Sequence, residues 1–143
     1  MKEFFLILFF SKWVQLTPAP VDLVGEWSIR PSNTLSAITP GAAIHIDLAR
    51  SVPEAGVTKS GLEESIEILG RRIPSESVHG FLLTEAGERI ELDQGGFSLE
   101  NDRAWLVLRP DAGMPTDLEF TEVTIVSDVQ IRGALVYWKN WSK

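Results

Sequence analysis

The sequence contains no cysteine. That excludes a disulfide framework, a thiolate nucleophile and any cysteine-ligated zinc or iron–sulfur site. It leaves the redox compartment open, because 143 residues can bury enough core to fold without cross-links. Histidine is scarce, His45 and His79 being the two present, and Tyr137 is the single tyrosine. Positive charge is short as well: 13 Lys and Arg against 20 Asp and Glu give a formal net charge of −7, with Arg71-Arg72 the one basic doublet. A nucleic-acid binder needs clustered cations to displace phosphate counterions, so no nucleic-acid partner is expected.

Long apolar runs are also lacking, with one exception near the N-terminus. Lys2 precedes Phe4-Phe5-Leu6-Ile7-Leu8-Phe9-Phe10, and apolar character resumes weakly at Trp13, Val14 and Leu16 after Ser11-Lys12. The run has the length of a signal-peptide hydrophobic region, whereas a membrane-spanning helix wants about 20 apolar residues. Processing after Ala19 is opposed by Pro20 and by Thr17 two positions upstream. Residues 4–10 are therefore expected to direct export or to anchor the protein at a membrane. The competing expectation is an element docked on the domain of a cytoplasmic protein. Thr17-Pro18-Ala19-Pro20 has the composition of a stiff linker. The expected organisation is a hydrophobic segment with its linker over residues 1–20 and a single domain over residues 21–143.

In that domain short apolar runs alternate with turn residues. Ile44, Ile46 and Leu48 alternate with His45 and Asp47, the period of a half-buried strand. Residues 81–84 and 89–92 flank Glu85-Ala86-Gly87-Glu88, a hairpin connection in which Gly87 supplies positive φ. Residues 104–108 form another strand, and residues 120–126 and 129–138 read as a final pair separated by Ser127-Asp128. Gly95-Gly96 reads as a hairpin turn. Residues 62–69 fit either a helix, with Ser60 and Glu63 in capping-box spacing and Gly70 as a stop, or a strand; the β context favours a strand over residues 65–69. The expected fold is all-β, an antiparallel β-sandwich of immunoglobulin-like or jelly-roll type. Its expected core comprises Trp27, Ile44, Ile46, Leu83, Leu92, Leu106, Leu108, Val123, Ile125, Ile131 and Leu135.

No catalytic constellation emerges. His45 and Asp47, two apart on a strand, point the same way and are a minimal acid–base or metal pair, but a metal site needs three or four ligands, so a solvated face is expected. No serine sits in a G-x-S-x-G turn, and Gly95-Gly96 lacks the Lys-Ser/Thr ending of a phosphate loop. Glu63, Glu64 and Glu67 lack the loop pattern of a calcium site. No metal or other cofactor is expected. Asn140-Trp141-Ser142 matches the N-glycosylation acceptor pattern.

Leu23-Val24-Gly25-Glu26-Trp27 resembles the G-x-W motif on the first strand of lipocalins. That resemblance implies a closed β-barrel carrying a small hydrophobic ligand, with Arg132 as a loose candidate for the arginine packed over the motif tryptophan. Tyr137, Trp138 and Trp141 gather aromatic surface near the C-terminus, and such amphipathic rings stack on sugars or anchor protein partners. They are the candidate binding residues. The leading expectation is a non-enzymatic binding or structural module of an exported or membrane-anchored protein, with a carbohydrate or protein partner. The alternatives are a lipocalin-like carrier and a hydrolase or metal-dependent enzyme using His45 and Asp47.

Overall fold

A computed structural model describes residues 11–48, 62–100 and 103–141. The apolar run at residues 4–10 lies outside the described residues. The elements in chain order are β1 (Ser11–Gln15), β2 (Val21–Ile29), β3 (Leu35–Ser36), β4 (Ala43–Asp47), α1 (Leu62–Arg72), β5 (Val78–Thr84), β6 (Arg89–Glu100), β7 (Arg103–Arg109), β8 (Glu119–Ala134) and β9 (Val136–Trp141). The chain is all-β and antiparallel, and its strands pair in the order β1-β9-β4-β7-β6-β5-β8-β2, with β3 also on β8. The sheet curls into a half-barrel.

One strand, β6, serves both halves of the sheet. Residues 89–92 of β6 pair with β5, and from Asp93 to Glu100 the strand pairs with β7, on both sides of Gly95-Gly96. Gly96 has φ 106° and the register shifts between Gln94 and Phe97, so the glycine pair is a bulge inside a strand rather than the expected hairpin turn. Likewise β8 runs unbroken through Ser127-Asp128, where Ser127 sits opposite both Gly25 and Val78. The expected turn there is absent, because the backbone of both residues is taken up by neighbours: Ser127 lies in the ladders and the Asp128 N–H donates to Ser77 O at 2.8 Å. The strand breaks instead near Gly133 (φ 57°), whose N–H donates to Asp22 Oδ1 at 2.9 Å.

That left-handed residue changes which parity faces inward. Before it Val123, Ile125 and Ile131 are buried, and after it Ala134, Val136 and Trp138 are. Leu135 is therefore half-buried on the outer face rather than in the expected core. Leu83 is also half-buried, and its neighbour Leu82 takes the core position. The expected core residues Ile44, Ile46, Leu92, Leu106, Leu108, Val123, Ile125 and Ile131 are buried, and Trp27 packs partly buried against them.

Residues 62–72 form a helix, not a strand. Leu62, Ile66, Leu69 and Ile73 recur at four, three and four positions, a helical stripe that puts Leu69 and Ile73 into the core. Gly70 lies within the helix rather than ending it. Upstream of the proline pair, β1 pairs with β9 from Ser11↔Trp141 to Gln15↔Tyr137. Leu16 and Thr17 are buried, and Thr17 Oγ1 accepts from the Val136 N–H at 3.1 Å. Sheet structure thus begins ahead of Val21.

Candidate functional site

Cross-strand partners in a ladder share a face of the sheet. Tyr137 is opposite His45, His45 opposite Val107, Asp47 opposite Trp105, and Trp13 opposite Lys139. The outer face of the β1-β9-β4-β7 half therefore collects Trp13, Tyr137, Lys139, His45, Asp47 and Trp105. This face is not solvated as expected for His45 and Asp47: His45, Asp47, Trp105 and Lys139 are all buried, Lys139 to 2% exposure. Their cover includes aromatic rings. Trp13 meets Trp105 at 5.0 Å between centroids, Tyr137 at 5.9 Å and His45 at 5.1 Å, while Trp105 and Tyr137 meet at 5.5 Å. The planes of Trp13 and Tyr137 stand at 85° and those of Trp105 and Tyr137 at 80°, the edge-to-face geometry favoured by ring quadrupoles. Lys139 Nζ lies 4.8 Å from the Trp13 ring centroid, within cation–π range.

The cluster borders an open hollow of about 290 Å³ lined by Trp13, Arg103, Trp105, Leu135 and Tyr137. This volume is at the lower end of the range for small-molecule sites. At its edge Arg103 Nη1 donates to Asp47 Oδ2; the Arg103 side chain is 51% exposed and that of Asp47 5%. The carboxylate belongs to the central strand β4, so the guanidinium is tied to the rigid part of the sheet.

Of the three candidate binding residues, Tyr137 lines this hollow. Trp138 points the other way, 2% exposed, with its ring 6.2 Å from Phe120. Trp141 closes β9, and its side chain lies outside the described residues. Sequence reasoning missed Trp13, Trp105, Arg103 and Leu135. The available signal was parity: Trp105 and Val107 alternate with the core residues Leu106 and Leu108, so Trp105 had to leave the core face.

The two members of the expected acid–base pair meet different neighbours. His45 packs against the rings of Trp13 and Trp105, Asp47 binds Arg103, and neither lines the hollow among the described residues. His79 is exposed beside a separate hollow with Glu76, Asp93 and Asp111. Among the described residues no group of three or more His, Asp or Glu is placed to hold a metal ion. Asn140 of the N-glycosylation pattern is buried: its Oδ1 accepts from the Ile38 N–H at 2.8 Å, and its Nδ2 donates to Ser36 O at 2.8 Å. Trp27 faces Ile125 in the ladder, seven positions along β8 from Arg132, which is roughly 20 Å of strand. The arginine of the lipocalin resemblance is therefore not brought to the motif tryptophan. Among the described residues no helix is long and apolar enough to cross a membrane. No family model matches the chain, and neither a curated protein nor a solved structure does.

Proposed function

We propose that the protein is a non-enzymatic binding module and that the outer-face hollow is its ligand site. One observation carries this reading: β1, β7 and β9 each contribute an aromatic ring to a single open hollow, next to a charge pair held by a central strand. Aromatic rings offer large, stiff contact area for sugars or protein side chains at small entropic cost. The finer architecture belongs to the same proposal, a sandwich-type module whose two sheet halves close on one core. Attachment to a membrane or export through residues 4–10 is proposed on the composition of that run alone.

The test is binding of the purified protein to glycan and peptide panels, followed by intrinsic tryptophan fluorescence. Trp105→Ala and Tyr137→Ala should each weaken binding about tenfold or more while the circular dichroism spectrum is unchanged. A ligand bound equally by wild type and both variants places the site elsewhere.

A lipocalin-like carrier is the second reading, favoured by the curl of the sheet. It requires an enclosed apolar cavity, whereas the inner face is occupied by Ile44, Ile46, Leu82, Leu106, Leu108 and Trp138. Saturable uptake of a fatty acid or retinoid insensitive to Trp105→Ala would favour the carrier.

A further inference from the structure

We infer that the ligand of the outer-face hollow is a small carboxylate bearing one six-membered ring with an apolar face, its carboxylate taken by Arg103 and its ring by Trp13, Trp105 and Tyr137. This rests on the reading of that hollow as the ligand site. Among the described residues, Arg103 is the one ionic side chain lining it, and the other lining residues are Trp13, Trp105, Leu135 and Tyr137. A guanidinium carries five N–H donors in a planar fork. Asp47, its side chain 5% exposed, takes a bond from Nη1, while half of the arginine side chain is open to solvent. Remaining donors can therefore meet an incoming carboxylate in the bidentate geometry that arginine favours over lysine. Because Asp47 sits on β4 with its side chain 5% exposed, the fork is oriented before the ligand arrives, which lowers the ordering cost of binding.

The charge of the site selects among ligands. A cationic ligand meets Arg103 at the mouth and Lys139 behind the Trp13 ring. A polyanion meets the field of a chain with net charge −7. A single negative charge on a compact ring avoids both penalties and uses every lining group. The volume of about 290 Å³ suits one ring rather than an oligomer.

Two sources share this chemistry, aromatic acids and uronic acids. Titrations of the full chain with phenylacetate and with D-glucuronate, each beside its neutral counterpart phenylacetamide or D-glucose, distinguish them by tryptophan fluorescence. At least one acid should bind about tenfold or more tighter than its neutral partner, as expected when a charged hydrogen-bond pair is gained. The preference should vanish in the Asp47→Asn, Arg103→Gln double variant, which leaves no buried carboxylate unpaired, and should shrink in Arg103→Lys, which keeps the charge but loses the fork. Neutral partners that bind as tightly as the acids, a preference surviving in the double variant, or no binding of either acid at millimolar concentration would overturn the inference. In the first of these outcomes, Trp105-dependent binding of the neutral ligand would still uphold the binding-module reading; loss of Trp105 dependence would remove both.

Discussion

Trp13 on β1 reaches across β9 to pack edge-on against His45 on β4, with ring centroids 5.1 Å apart and planes at 77°. The ring thereby ties together three strands that backbone pairing joins only two at a time. It also lies on Trp105 of β7. Removing it takes away apolar contact and uncovers Lys139 and His45. Because Trp13 is half-buried, Trp13→Ala should cost about 1–3 kcal/mol, less than a fully buried tryptophan would. Urea unfolding measures this, and an unchanged midpoint would mean that the ring cluster does not hold β1.

The same contact makes the end point of an N-terminal truncation matter. Deletion of residues 1–20 removes β1 and should lower the melting temperature by several degrees. Deletion of residues 1–10 leaves β1 intact and should alter location while sparing most of the stability. Thermal unfolding and cell fractionation of the two truncations read these effects separately. Equal destabilisation by both would assign residues 4–10 to the folded domain.

Gly80 is held where a side chain has no room. A Cβ built on it would stand 2.3 Å from the Thr124 carbonyl oxygen on β8, a backbone atom that cannot swing aside. Gly80→Ala should force β5 from β8 and cost about 1–3 kcal/mol or more. The measurable outcome is a lowered denaturation midpoint together with faster amide exchange in β5. A stability equal to wild type would show that the two strands part without penalty.

Parity on either side of Gly133 makes a paired prediction. Ile46→Ala, at a fully buried position, should cost about 2–5 kcal/mol, whereas Leu135→Ala should cost about 1 kcal/mol or less and act on ligand binding instead. Gly133→Ala should itself cost about 1–2 kcal/mol, since φ 57° suits glycine. Chemical denaturation of the three variants supplies the comparison.

The inward strands were legible where period two runs uninterrupted. Ile44, Ile46, Leu106 and Leu108 could be placed in the core from spacing alone, and the Thr84–Arg89 connection followed from Gly87, which has φ 87°. Interruptions were not legible. Ser127-Asp128 and Gly95-Gly96 carry turn composition yet lie inside strands, because whether a strand bends or reverses depends on which neighbours satisfy its backbone. The helix lost to the strand reading because Ile66 fits the helical period with Leu62 and Leu69 and the strand period with Ile68, and burial of Leu69 and Ile73 decided the matter only in three dimensions. Of the residues lining the hollow, Tyr137 was singled out by the sequence. Trp13, Arg103 and Trp105 were not, because a hollow assembled from the first strand and the last ones leaves no local pattern in the chain.

Among the described residues, every strand from β1 to β4 has its partners only among β7, β8 and β9. During synthesis the first third of the polypeptide thus leaves the ribosome with no β partner yet made, while β5, β6 and β7 can zip as consecutive hairpins. Pairings such as Trp27 with Ile125 close loops of nearly a hundred residues, the kind of step that makes folding slow. The early strands must wait, exposed, for β7, β8 and β9. A stop codon before β8 would therefore do more than shorten the protein: it would leave β2 and β3 without their partner strand and free to seek partners in other chains.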